Sequence, residues 1–408
     1  MRTPAVSAAL RDSLATLYRD LHAHPELSFE ETRTASVVAE RLARLDGVRV
    51  TTGVGGTGVV GELANGDGPH ILLRADIDAL PVQERTELPY ASETAGVMHA
   101  CGHDVHVVCL LGALELLAGT RDGWSGRVTA VFQPGEEVGG GAQAVIDDGL
   151  LAGTTETPDI VLAQHVAPFP AGTVGCHAGP TLAAEDIVKI TLYGRGAHGS
   201  RPEASVDPVV LAAATVMRLQ TVVSREIAGG DTAVLTVGAI NAGVRANVIP
   251  DEAELKLSIR TFTAQVRERV LAAVERIARA EAAASGADRE PLVTLLQSFP
   301  ALVNDEQATE RTAGAFRRHF GELSVFDPGP ATGSEDCGVL GTALAAPVCY
   351  WFIGGTDPEA YRRAAAEGTT DRDVPANHSS RFAPVVEPTL TTGVEALTTA
   401  ALTWLAPS

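Results

Sequence analysis

Positive charge is scarce in this chain. Its 408 residues hold 31 Lys and Arg against 51 Asp and Glu, a net charge of -20. A surface of that sign repels phosphate backbones and anionic bilayers, so neither nucleic acid nor membrane is expected as a partner. Long apolar runs are missing too, and nothing reaches the about 18 uninterrupted apolar residues of a spanning helix. Met1-Arg2-Thr3-Pro4 lacks the charged start and apolar core of a secretory leader. Cysteine is sparse and odd in number, five in all, which argues against a disulfide framework and for a reducing, cytoplasmic compartment. Cys109, Cys176, Cys337 and Cys349 read as small apolar filler. Apolar residues make up 45% of the chain, enough for sizeable cores, and the length suits two or three domains.

Periodicity divides the chain. Leu10, Leu14, Leu17, Tyr18 and Leu21 mark an amphipathic first helix. Ser28-Phe29-Glu30-Glu31 has the capping-box form and predicts a second helix running to about Leu45. Strands are expected over 48–52, 58–63, 70–77, 127–132 and 159–165, with a helix over 104–117 that is apolar nearly all round and hence buried. This alternation predicts an α/β fold with a mostly parallel, doubly wound sheet. From about Glu185 the order changes to strand 186–194, helix 207–226, strands 232–240 and 253–260, helix 264–284 and strand 290–298. That is β-α-β-β-α-β, the ferredoxin-like unit. Alternation then resumes with helix 306–320, strand 348–353 and a last helix over 388–405. The expected organisation is therefore a split domain, 1–182 with 296–408, carrying an inserted α+β domain, 183–295.

The chemistry is concentrated in a few short segments. In Met98-His99-Ala100-Cys101-Gly102-His103-Asp104, a thiolate and an imidazole two residues apart are able to face one metal, and they precede a buried helix. The bland alternative is a core cysteine beside a helix-start histidine. Gln133-Pro134-Gly135-Glu136-Glu137 ends a strand with two carboxylates that repel one another unless a cation is present. Glu137 reads as a ligand and Glu136 as a general base, against the alternative of an exposed acidic loop. His165 stands at the end of its strand, placed like a ligand, although a lone strand-end histidine is commonly just polar. His378 is a loop histidine that spacing alone does not single out. In the insert, His198 sits on a glycine-flexed loop, Asn247 precedes a strand and Arg260 ends one. Such groups suit an oxyanion and a substrate carboxylate, and singly they are ordinary surface polarity. His22 and His24 are set aside as the end of a surface helix. Gly53 to Gly58 is read as a turn, because it lacks the Gly-Lys-Ser/Thr ending of a phosphate loop. His106, His177 and His319 have no supporting context.

Taken in order, these segments resemble the metal-dependent amidohydrolases of the aminoacylase and carboxypeptidase G superfamily, in the branch of N-acyl-amino-acid amidohydrolases, hippurate hydrolases and indole-acetyl-amino-acid hydrolases. The carrying segments are 21–29, 74–81, 99–104, 133–137, His165-Val166, 196–198, 247–250, 333–336 and His378 with Phe382. Residue 135 is glycine where alanine is more usual, and Gln164 replaces an apolar residue or glycine. The resemblance implies a phosphorylase/hydrolase-like catalytic domain and an insert that serves dimerisation. It implies two divalent transition-metal ions (Zn, Mn or Co) on Cys101, His103, Glu137, His165 and His378, with Asp76 orienting ligands. It further implies Glu136 as base and His198 reaching the site of a neighbouring subunit. Asn247 and Arg260, taken to lie near one another, are candidates for gripping the carboxylate of a small N-acyl amino acid. The alternatives are a dipeptidase or carboxypeptidase using the same centre, and a non-catalytic metal-binding scaffold.

Overall fold

The repeated apolar strands assemble into one eight-stranded sheet. In this computed structural model, which describes residues 3–150 and 157–405, its order is Val48–Val54, Gly58–Asn65, Gly126–Gln133, His70–Asp76, Ile160–Pro170, Val348–Thr356, Val174–Cys176, Val325–Phe326. Met1 and Arg2, part of the segment read for a leader, lie outside the described residues. The four central strands run parallel, and antiparallel pairs occur toward both sides. His70–Asp76 is buried along its whole length, as a strand covered on both faces must be. Helix His103–Gly119 packs against Ala8–Ala23, Val386–Leu405 and the central strands. Every residue from His103 to Leu114 is buried, which explains why its sequence is apolar all round.

Two expectations are corrected here. The second helix spans Thr32–Leu42, with Glu31 as N-cap and no side-chain capping bond. Ser28 Oγ instead donates to Asp78 Oδ2 at 2.7 Å, and Glu31 Oε1 accepts the Gly135 N–H at 3.0 Å. A hydroxyl offered a buried carboxylate makes a charge-assisted bond, which outcompetes a neutral cap. The strand expected to close at His165 runs on to Pro170, because Val348–Thr356 pairs with it from Val161 to Pro170.

The chain forms two compact units, the first comprising 1–181, 303–329 and 336–408, the second 182–302 and 330–335. In the second, strands Ala184–Tyr193, Ala233–Ala242, Glu252–Thr261 and Leu292–Phe299 form an antiparallel sheet in which the first and third to be made lie at the centre. Ala184–Tyr193 alternates strictly between buried and half-buried residues, the pattern of a sheet with one face against helices. Those helices are Pro208–Thr221, capped by Asp207 through Val209 N, and Ala264–Ala284, capped by Thr263 through Val266 N.

Beneath the parallel strands, the fully buried Arg74 guanidinium donates to Gln133 Oε1 at 2.9 Å, Asp76 Oδ2 at 2.7 Å and Asp336 Oδ1 at 3.1 Å. Removing one partner of such a network leaves uncompensated buried charge. Arg74→Met is therefore expected to destabilise the first unit by about 3–5 kcal/mol. All three tryptophans, Trp124, Trp351 and Trp404, lie in that unit, so the midpoint of fluorescence-detected denaturant unfolding reads the change.

Candidate metal centre

The first unit gathers its polar residues at the C-terminal edge of the parallel strands, where open α/β sheets place ligands. Asp76 ends one strand, and Glu136 and Glu137 follow another that ends at Gln133. His165 lies on the third, two residues beyond the last paired position, Arg74 with Ala163. Cys101 and His103 flank Gly102, whose φ of 81° is left-handed and whose Cβ, were there one, would stand 2.4 Å from Val166 Cγ1. Glycine is therefore required at that turn. His378 arrives on a loop from the far end of the chain. Its backbone N–H donates to Ala100 O at 2.8 Å, and the Asn377 amide donates to Cys101 O at 3.2 Å and Val166 O at 3.1 Å.

Six of the residues singled out from the sequence thereby come together. Cys101 Sγ stands 3.5 Å from His165 Nε2. His378 Nε2 is 3.4 Å from Glu137 Oε2, and His103 Nε2 is 3.8 Å from Glu137 Oε1 and 3.9 Å from Glu136 Oε2. Donor atoms of Cys101, Glu137 and His378 lie within 4.8 Å of one another, as do those of His103, Glu136 and Glu137. The nitrogen–oxygen gaps are long for hydrogen bonds, and the sulfur–nitrogen gap admits only a weak one. They suit donors that share a cation, since ligands on a tetrahedral ion with bonds of about 2.0–2.3 Å stand about 3.3–3.8 Å apart. His103 Nε2 and Glu137 Oε1 are buried and lack a hydrogen-bond partner among the described residues. Two orphaned donor atoms facing the same gap, within a set of sulfur, imidazole and carboxylate, fit a divalent transition metal.

The electrostatics agree. Burial works against a charged His103, but the Asp76 charge and the Asp78 hydrogen bond prevail and hold its pKa well above the ordinary value. His378 is raised to about 10 by Cys101 and Glu137. Burial, and then the Glu137 charge, push the Cys101 thiol up, while burial and His106 push His165 down. A cation bound among these groups would displace such protons and supply the positive charge in their place.

Asp76 lies where a group orienting ligands would lie. It accepts from Arg74, approaches His103 Nε2 at 3.5 Å and bonds His106 Nδ1. Asp78 takes His103 Nδ1 at 3.1 Å and the Glu137 N–H at 3.0 Å. Three residues here were missed or set aside. His106, judged to lack context, is buried, and its Nε2 accepts the Val166 N–H at 2.8 Å. Its spacing of three from His103 on one helix face was the available signal. His22, set aside as surface, is fully buried, with Nδ1 2.6 Å from Asp104 Oδ2 and Nε2 3.3 Å from Glu84 Oε1. Asn377 carried no signal, because its partners belong to loops remote in sequence.

His198, Asn247 and Arg260 belong to the second unit. His198 is exposed on Ala197–His198, which pairs with Val248–Ile249, and its Nδ1 meets Ser200 Oγ at 2.7 Å. Asn247 adjoins it, its carbonyl accepting the Gly199 N–H at 2.8 Å. Arg260 is not near them, contrary to expectation. Its strand pairs Glu252 with Tyr193 at the end adjoining the His198 loop and Arg260 with Glu185 at the other. The eight residue steps from Glu252 to Arg260 span about 27 Å of extended chain. There the Arg260 guanidinium donates to Glu185 Oε1 at 2.9 Å, Thr332 O at 2.9 Å and Ser334 Oγ at 3.0 Å.

Residues 72–376 match the sequence pattern of Peptidase family M20/M25/M40. The chain belongs to that family. Over 339 residues it is 40% identical to N-acetyl-L-cysteine deacetylase of Bacillus subtilis, covering 82% of this chain and 78% of that protein. It is 37% identical over 332 residues to hippurate hydrolase of Campylobacter jejuni, covering 81% and 85% respectively. Among solved structures, a Bacillus subtilis protein described as a dinuclear metal binding peptidase from the M20 family superposes with a TM-score of 0.79 at 30% identity, covering 98% of this chain and 99% of that one. Among the described residues, no helix of this M20-family chain is long and apolar enough to cross a membrane.

His22 gives a stability test behind the pocket. Burial lowers its pKa, but the Asp104 charge and hydrogen bonds to Asp104 and Glu84 raise it to about 10, against 6.5 for the free side chain. A raised folded-state pKa contributes stability that is complete below pH 6.5 and is lost as pH climbs through about 10. Denaturant midpoints of wild type and His22→Gln are therefore expected to be far apart at pH 6.5 and to converge toward pH 10.

Proposed function

We propose that this chain hydrolyses the amide bond of N-acyl-L-amino acids, releasing a carboxylate and the free amino acid. The reading is carried by one observation. Glu136 is a buried carboxylate 3.9 Å from His103, with its carboxylate among the donor atoms of His103 and Glu137. Similarity to an N-acetyl-L-cysteine deacetylase and a hippurate hydrolase supports the substrate class.

Cys101, His103, Glu137, His165 and His378 would hold two divalent transition-metal ions (zinc, manganese or cobalt), which would supply acidification of the attacking water and polarisation of the carbonyl. Glu136 takes the proton of that water as the new C–O bond forms. It returns the proton to the nitrogen as the C–N bond breaks. Asp76 and Asp78 keep the His103 ring in orientation. His198 donates to the developing oxyanion. Asn247 and Arg260 grip the substrate carboxylate, Arg260 exchanging Glu185 for it.

The active form is a homodimer joined through the second unit. Support comes from the helix Pro208–Thr221, which leaves Val210 63% and Met217 72% exposed, and from strand Ala233–Ala242, a sheet edge with a free side. His198 then reaches the site of the neighbouring copy, as the resemblance to this family implies. Five cysteines without a disulfide suit a reducing, cytoplasmic setting.

Glu136→Gln is expected to lower kcat by about 10²–10⁴-fold while metal content by mass spectrometry stays at the wild-type level. A panel of acetyl-, benzoyl- and aminoacyl-amino acids separates this activity from that of a dipeptidase. Mixing and refolding the inactive variants Glu136→Gln and His198→Ala together is expected to restore activity, because each hybrid dimer contains one intact site. No recovery overturns the shared-site reading.

A further inference from the structure

We propose that Phe29 is a positioning residue for the proton-transfer loop, seated in a slot that exists because residue 135 is glycine. The inference rests on the reading of Glu136 as general base. Phe29 has a φ of 65°, in the left-handed region that a bulky side chain rarely adopts, and it leaves 41% of its surface exposed. Such a backbone persists where surrounding structure holds it, and it clusters at functional sites. Here the conformation puts the ring on the loop that carries Glu136. A Cβ built on Gly135 would stand 2.5 Å from Phe29 Cζ, 2.6 Å from Cε2 and 3.0 Å from Cε1. The ring therefore occupies the volume that an alanine methyl would need.

Glu31, two residues beyond Phe29, binds this loop directly, and Ser28, just before Phe29, reaches it through Asp78. Glu31 Oε1 accepts the Gly135 N–H at 3.0 Å. Ser28 Oγ donates to Asp78 Oδ2 at 2.7 Å, and that oxygen also takes the Glu137 N–H at 3.0 Å. Glu136 is thus bracketed by two tethered amides, and the Phe29 ring covers the peptide leading into it. The tethers fix the ends of the segment. The ring blocks outward rotation of the Gly135–Glu136 peptide, the motion that would swing the Glu136 carboxylate away from water and leaving group. A misplacement of about 1 Å in such a group costs about 10²-fold in rate, so loss of the ring is read in kcat rather than in binding.

The experiment is a double-mutant cycle on Phe29→Ala and Gly135→Ala, with Phe29→Leu as the conservative variant and Glu136→Gln alongside. Steady-state kinetics on an N-acetyl amino acid, metal content and tryptophan-fluorescence midpoints are measured for each. Phe29→Ala is expected to lower kcat about 10-fold with KM within about twofold, metal content and midpoint being retained, and Phe29→Leu to recover most of the loss. Gly135→Ala is expected to cost a larger factor in the wild-type background than in Phe29→Ala, because the clash is gone in the second while the strain of a side chain at the φ of 60° that Gly135 adopts is common to both. An unchanged kcat in Phe29→Ala, a loss confined to KM, or equal costs of Gly135→Ala in the two backgrounds overturns the proposal. A fully active Glu136→Gln ends the general-base reading instead, and an inactive one beside an indifferent Phe29→Ala ends the positioning claim alone.

Discussion

A carboxylate with no access to water must be surrounded by donors, and Asp76 shows how much of this molecule that requirement organises. It stands at the end of the central strand, fully buried, with Arg74 on one side and the imidazoles of His103 and His106 on the other. Burial alone would raise its pKa, but His103, His106 and Arg74 hold it far below the usual carboxylate range. Each of those partners is tied elsewhere. Arg74 reaches Gln133 and Asp336, His106 takes the amide of Val166, and His103 is held by Asp78. One anion therefore locks the strand that precedes the Glu136 loop, the helix that carries His103 and the strand that carries His165. The pocket is rigid because its walls share a charge network rather than because any one contact is strong.

Beyond Asp76 the pocket has two differently built sides. His103 is held by carboxylates that orient its ring and leave Nε2 directed into the gap. Cys101, Glu137 and His378 come from three distant loops, and backbone contacts hold them: His378 through Ala100, Glu137 through Asp78, and Cys101 through Asn377. The first side is determined by side chains and the second by chain path.

That contrast explains what could be read from the sequence. Helices Ala264–Ala284 and Glu306–Phe320 match their expected limits residue for residue, since each begins at a cap, Thr263 or Asp305, that bonds within its own first turn. The strand-helix alternation carried the α/β architecture for the same local reason. The failures are non-local. Ser28 has the form of a cap, but its hydroxyl meets Asp78, fifty residues away. His22 looks like the polar end of a surface helix until Asp104 and Glu84 close over it. Nothing local marks Asn377, or the left-handed backbone of His378, whose φ is 69°. The adjacency assumed for Asn247 and Arg260 failed because an antiparallel strand carries its two ends far apart.

The order of strands in the large sheet has a consequence for synthesis. Val348–Thr356 lies between Ile160–Pro170 and Val174–Cys176, two strands joined by three residues and finished by the ribosome about 170 residues earlier. Until that late strand emerges, both neighbours present unpaired edges, and the first opens with the wholly apolar run Ile160 to Ala163. The second unit, complete by Glu335, is free to fold in the interval. A nascent chain stalled between these points therefore carries a finished module attached to a half-built, adhesive sheet, and that interval is when it most needs a chaperone.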